Sequence, residues 1–199
     1  GRGGTQVSDL LAAAEVLGRG FDVWTAGPSR ELLPTTGAVA IIADTTYLEA
    51  PKADVLVVPA LLTELDGALL DWIRSRSREA RVTLGLSDGA AALAQAGLLD
   101  GKAATAHPLS LGKLRAAFPS VKWEEGRSFV HDDGVVTSPG LASAASAAEA
   151  ALQLALRAQL VARAQPLVEA HPPGFREFLI FFIRGGYFWG DPRLAVELK

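Results

Sequence analysis

Residues 81–107, "RVTLGLSDGAAALAQAGLLDGKAATAH", pass from a strand pattern to a helix pattern with only Ser87 and Asp88 between them. The apolar-rich "VTLGL" (Val82 to Leu86) reads as a strand. The Ala-rich "DGAAALAQAGLL" that follows is helix-forming, and Gly97 stands where a left-handed C-terminal cap belongs. A second strand, "KAATAH" (Lys102 to His107), closes the unit. Strand, abrupt turn, helix and strand make a βαβ unit, and two parallel strands need such a crossover.

The same alternation extends through the chain. "FDVWTAG" (Phe21 to Gly27) and "ADVLVVPA" (Ala53 to Ala60) read as further strands. "SDLLAAAEVLGR" places Leu10, Leu11, Ala14 and Leu17 on one helix face, and "LDGALLDWIRSR" does so with Leu65, Leu69, Trp72 and Ile73. "VKWEEGRSFVHDDGVVTSPG" breaks the rhythm: two short strands flank Asp133-Gly134, a hairpin signal. An Ala-rich helix is expected from about Leu141 to Gln165, ending at Pro166, with Ala142, Ala145 and Ala148 allowing close packing on the sheet. The expectation is one α/β domain over residues 1–165, with a doubly wound, mostly parallel sheet and helices on both faces. Residues 166–199 read as a C-terminal extension, aromatic-rich beyond "HPPG". A sheet of this type usually opens with a buried strand ahead of its first helix, and "GRGGTQV" is too glycine-rich to be one. Phe178 to Ile183, six consecutive apolar residues, is expected to fill that slot, from this chain or a partner; an added surface element is the alternative.

Composition narrows the function. The 199 residues carry a formal charge of −3, with 49% apolar and 21% charged side chains. That balance suits a globular core and gives no basic footprint for nucleic acid. No apolar run approaches the length of a membrane span, and no signal-peptide pattern opens the chain, so a cytoplasmic location is the default expectation. Cysteine is absent, which excludes disulfides, thiolate metal sites and a cysteine nucleophile. Methionine is absent too, so the chain is expected to start downstream of an initiator. No glycine-rich phosphate motif is present, and no cofactor is expected.

At "LSDGAAALAQAGLLDGKAATAH" the chain resembles the ThiJ/PfpI superfamily, which shares its fold with class I glutamine amidotransferases. It is most similar to the isonitrile-hydratase-like branch and to the sensory domains of AraC-type regulators. Gly89-Ala90, Leu93-Ala94, Ala96 to Gly101 and Thr105-Ala106-His107 carry the likeness. "SDLLAAAEVL", "ADVLVVP", "FPSV" and "VHDDGVVTSPG" extend it over roughly residues 5 to 165. The resemblance implies a flavodoxin-like fold with a ligand pocket at the C-terminal ends of the strands.

It also implies a site, from which this sequence departs. The family's cysteine, displayed on a strand-to-helix elbow, falls on Ser87. The Pro-Gly-Gly whose amides help form an oxyanion site is Pro59-Ala60-Leu61, and the Gly-Pro often following the first-helix acid is Ala12-Ala13. Asp9 matches the acid that hydrogen-bonds the thiolate. Ser87, His107 and Asp9 are therefore the candidate catalytic residues, and Asp88, Gly89, Ala60 and Leu61 the candidate ligand contacts. A serine hydroxyl needs a positioned general base, and His107 is the plausible one. The simpler alternative makes Ser87, Asp88 and Asp9 helix N-caps. His131, Asp132 and Asp133 have no closed metal spacing and read as a hairpin turn, so no metal site is expected. Two functions remain open: a non-catalytic domain that binds a small molecule or regulates, and a serine-dependent hydrolase or hydratase acting on a small substrate. A homodimer stays open as the assembly.

Overall fold

The computed structural model describes residues 6–33, 35, 39–61 and 65–169, the side chains of 164–169 excepted. In chain order the elements are α1 (Val7–Leu17), β1 (Ala26–Gly27), β2 (Leu32–Leu33), β3 (Ile41–Ile42), β4 (Thr45–Thr46), β5 (Val55–Val58), α2 (Gly67–Glu79), β6 (Val82–Leu86), α3 (Gly89–Gln95), β7 (Ala103–Ala104), α4 (Pro108–Ala117), β8 (Lys122–Trp123), β9 (Val130–Asp132), β10 (Val135–Ser138) and α5 (Ala144–Glu169), the last entered through a 3-10 turn at Leu141–Ser143. The chain divides into two compact units, Gly1–Ala155 and Leu156–Lys199. The described part of the second is the C-terminal stretch of α5.

The principal sheet has the order β5-β6-β10-β9. Its first three strands are parallel, and β9 returns antiparallel to β10. That hairpin turns on Asp133 and Gly134, at φ 44° and 74°, the paired left-handed angles of a type I′ turn. Smaller ladders join β1 to β4 and β7 to β8 in parallel, and β2 to β3 antiparallel. Register aligns Val58 with Gly85 and Leu86 with Ser138. The C-terminal ends of β5, β6 and β10 therefore lie side by side, and the chain leaves all three at one edge.

Side-chain alternation divides the core between two faces. Val82, Leu84 and Leu86 of β6, with Val136 of β10, pack against Ala13, Val16 and Leu17 of α1 and against α5. Leu56 and Val58 of β5, with Val135, meet Ile73 of α2 and Leu93 of α3 on the other side. Leu84, Leu86 and Leu93 are each fully buried, and burial of a side chain of this size stabilises by about 1.5–3 kcal/mol. The fold is a flavodoxin-like α/β sandwich with a mostly parallel sheet, as the sequence implies.

Several elements differ from the expectation. The strand read over Phe21 to Gly27 forms only at Ala26–Gly27, because the Thr25 N–H and Oγ1 both donate to the Asp44 carboxylate, at 2.8 and 2.6 Å. The strand from Lys102 to His107 shrinks to two residues. Ala103 N–H donates to Asp132 Oδ2 and Thr105 N–H to Thr137 Oγ1, both at 2.8 Å, so side chains replace the ladder. On α1 the buried positions are Asp9, Ala13, Val16 and Leu17, and Leu11 is 59% exposed. An aspartate on the inner face sets that rotation. Ala144, Ala147, Ala148, Ala151 and Ala155 of α5 enter the core, while Ala145, and Ala142 in the turn before the helix, face solvent. The helix continues past Pro166 to Glu169. Among the described residues β5 pairs with β6 alone; Phe178 to Ile183, the segment expected beside it, lies outside the described residues.

Candidate functional site

Ser87 joins β6 to α3 with φ 55°, a left-handed angle that costs a non-glycine residue about 1–2 kcal/mol. Two contacts hold it there. Its N–H donates to the carbonyl of Ser138, the last residue of β10, at 2.9 Å, carrying the β6–β10 ladder one residue past β6. Gly89, two residues on, presses α3 against the end of β5: a Cβ at Gly89 would lie 2.0 Å from the Val58 carbonyl oxygen and 2.9 Å from that of Pro59. Only glycine permits that approach. Ala60 is 2% exposed beside it, and Leu61 packs on the α2–α3 side of the core.

The third strand end completes the arrangement. After β10 the chain turns through Pro139 and Gly140, and Gly140 (φ 84°) covers Ser87. A Cβ at Gly140 would lie 2.6 Å from Asp9 Oδ2, 2.7 Å from Ser87 Cβ and 3.2 Å from Ser87 Oγ. One point thus touches both side chains, and the first helix and the β6 turn meet there. Leu141, also left-handed at φ 50°, donates its N–H to Asp9 Oδ1 at 2.6 Å. Gly140 and Leu141 are the site residues that sequence reasoning missed. The available signal was the Pro139-Gly140 pair, a turn dipeptide directly after a strand.

Asp9 is fully buried, yet its Oδ2 has no hydrogen-bond partner. Burial pushes its carboxyl above the ordinary range, opposed by the Leu141 N–H and by the charge of nearby His107. A group so placed favours the protonated acid. Asp9 therefore does not cap α1; it lies within the first turn and bonds a loop 132 residues away.

His107 is half-buried and caps α4, its Nδ1 accepting the Leu109 N–H at 3.3 Å. It lies within electrostatic range of Asp9, but no hydrogen bond joins it to Ser87 or Asp9 among the described residues. Asp88 occupies the N-cap position of α3 without a side-chain cap bond, and its Oδ1 is buried without a partner. The structure brings Asp9, Ser87, Asp88 and Gly89 together at the strand ends, with Ala60 adjoining and His107 at the side.

The hairpin acids serve elsewhere. Asp132 accepts the Ala103 N–H, Asp133 pairs with Lys102 at 2.8 Å, and burial lowers the pKa of His131. Among the described residues no group of three or more His, Asp or Glu side chains is placed to hold a metal ion. No helix among them is long and apolar enough to cross a membrane.

A sequence model of the DJ-1/PfpI family matches residues 3–154. An isonitrile hydratase from Pseudomonas putida is 35% identical over 109 residues, which are 51% of this chain and 47% of that protein. The chain thus spans less than half of the length of this relative. Among solved structures, a ThiJ/PfpI family protein from Pseudomonas syringae shares 23% identity at a TM-score of 0.66, over 85% of this chain and 73% of its own. DJ-1beta from Drosophila melanogaster shares 24% at a TM-score of 0.67, over 83% of this chain and 92% of its own. At these identities the structural likeness speaks to the fold.

Proposed function

The chain belongs to the DJ-1/PfpI family, and from that premise we propose that it is a non-catalytic member whose strand-end site binds a small molecule in a regulatory role. One observation carries the reading: the nucleophile position holds Ser87, and among the described residues no base is bonded to its hydroxyl. A thiol ionises with modest help, whereas a serine must hand its proton to a neighbour as it attacks. His107 Nδ1 accepts from Leu109 N–H. Asp9 Oδ1 accepts from Leu141 N–H, and no hydrogen bond joins Asp9 to the Ser87 hydroxyl among the described residues. The backbone at Ala60, in place of a glycine, adds to the departure.

The second reading is a serine-dependent hydrolase or isonitrile-hydratase-like lyase acting through Ser87, His107 and Asp9. The left-handed turn at Ser87 favours it, since strain of about 1–3 kcal/mol persists only where surrounding packing enforces it. In that case Asp9 would supply a proton to the substrate while His107 took the serine proton. Assays with isonitriles, activated esters and glyoxals separate the two. Equal rates, at background level, for the parent protein and Ser87→Ala are expected. A robust turnover lost in Ser87→Ala, with circular dichroism unchanged, establishes the enzyme instead. A cytoplasmic, homodimeric protein is the setting in which we place this function.

A further inference from the structure

Ser87 is closed off in this structure. It is 2% exposed, and the turn that follows β10 lies over it: a Cβ at Gly140 would stand 2.7 Å from Ser87 Cβ and 3.2 Å from Ser87 Oγ. That spacing leaves no room for another molecule between the turn and the hydroxyl. A ligand that is to touch Ser87 needs Gly140 displaced.

The turn is lightly held. Gly140 N–H donates to Ser138 Oγ, and the Gly140 carbonyl accepts the Ser143 N–H, each at 3.1 Å; both bonds stay within the segment. Among the described residues one hydrogen bond ties Pro139, Gly140 or Leu141 to another element, the 2.6 Å bond from Leu141 N–H to Asp9 Oδ1. Apolar anchoring is small as well. Leu141 is 57% exposed, and the chain next enters the core at Ala144.

Backbone strain opposes that one bond. Leu141 has φ 50°, directly after Gly140 at φ 84°. A left-handed angle crowds the Cβ of a leucine against its carbonyl, and it persists only where the surroundings enforce it. The enforcing group is Asp9, which is fully buried in α1, a helix seated on the sheet through Ala13, Val16 and Leu17. The bond therefore has one fixed end and one strained end.

We propose that Pro139, Gly140 and Leu141 form a gate over Ser87, latched by the Leu141–Asp9 bond against the strain at Leu141, and that ligands reach Ser87 when this bond is released. Opening relaxes Leu141 and uncovers the hydroxyl, while the β6–β10 ladder stays paired. A local opening of this type disturbs few buried contacts and needs no global unfolding.

The chain contains no cysteine, so Ser87→Cys places a single thiol under the turn, and its alkylation by iodoacetamide, expressed per thiolate, reads the opening. The reaction is expected to be about 100-fold slower than in the urea-unfolded chain, and nearly independent of urea below the unfolding transition. Adding Asp9→Ala, which removes the acceptor, or Gly140→Ala, whose Cβ would lie 2.6 Å from Asp9 Oδ2, should raise the rate by about tenfold or more. Asp9→Asn keeps an acceptor and should stay within about threefold of its parent. Leu141→Gly relieves the strain and should slow the reaction by about twofold or more. Hydrogen exchange of the Leu141 amide in the chain with Ser87 retained reads the same opening: it should be faster than exchange of the β6 amides, and faster again in Gly140→Ala. The use of the gate rests on the binding reading above, but its opening is measured without a ligand, so the two fail separately. A thiol that reacts at the unfolded rate, a rate that climbs with urea as global unfolding does, or one unmoved by Asp9→Ala and Gly140→Ala overturns the gate. Asp9→Asn reacting as fast as Asp9→Ala overturns the part assigned to the bond, and Leu141→Gly reacting faster than its parent overturns the part assigned to strain.

Discussion

Replacing Gly89 by alanine sets two known effects against each other. Gly89 is the first residue of α3, and alanine exceeds glycine in helix propensity by about 1 kcal/mol in an interior position, less in a first turn. Against that gain, the new Cβ would stand 2.0 Å from the Val58 carbonyl oxygen and 2.9 Å from the Pro59 oxygen. Both obstacles are backbone at the end of a core strand, so relief requires α3 to move away from β5. Overpacking of this type costs about 1–3 kcal/mol and sometimes more. The clash should dominate, leaving a net loss of about 1–3 kcal/mol, or about 2–12 °C in Tm for a domain of this size. Gly112 is the matched control. It lies inside α4 and a Cβ there meets nothing within 4 Å, so Gly112→Ala should stabilise by about 0.5–1 kcal/mol. Thermal and urea denaturation of both variants read the result. A Gly89→Ala protein as stable as the parent would show that α3 does not bear on β5 as described.

Asp9→Asn should change the pH dependence of stability. Because the folded carboxyl titrates above its unfolded value of 3.8, the folded state binds the proton more tightly, and the parent loses stability as pH rises through that window. The Asn variant lacks this loss, so its Tm relative to the parent should rise from pH 4 to pH 7; a difference that is flat or falls with pH refutes the direction. Trp72 donates Nε1–H to the Tyr47 carbonyl at 2.7 Å, and its ring centroid lies 5.0 Å from that of Tyr47. Trp72→Phe should therefore cost about 1–2 kcal/mol in urea unfolding, and a loss within 0.3 kcal/mol would show the bond to be unimportant.

The parts of the fold that were legible in the sequence are those whose pattern is local. "VTLGL" gave β6 to the residue, Asp133-Gly134 gave its hairpin turn, and Gly97 took the left-handed angle (φ 73°) expected past α3. What misled was decided by distant partners. Leucines on α1 suggested one face, but the helix turns so that Asp9 reaches Leu141, and no periodicity weighs a polar group by a contact so remote. The Thr25–Asp44 and Thr105–Thr137 bonds cut two strands short for the same reason. At the site, the resemblance named Ser87 and Asp9, whereas the meeting of Gly140 with both depends on the end of β10 arriving beside β6. His107 was read as a strand-end base, and it is a helix cap because Pro108 starts α4 directly after it.

The bond from Leu141 to Asp9 also has a kinetic meaning. It closes a loop of 132 residues, and the chain entropy of such a closure is on the order of 4 kcal/mol before any constant term. No single hydrogen bond offsets that, so the contact forms only after α1 and α5 have docked on the same sheet face. Contacts of high sequence separation slow folding, because their closure entropy is lost before the contact rewards it. The strand-end site therefore depends on the docking of both helices, and a substitution that loosens α1 or α5 from the sheet releases the Leu141–Asp9 bond with it.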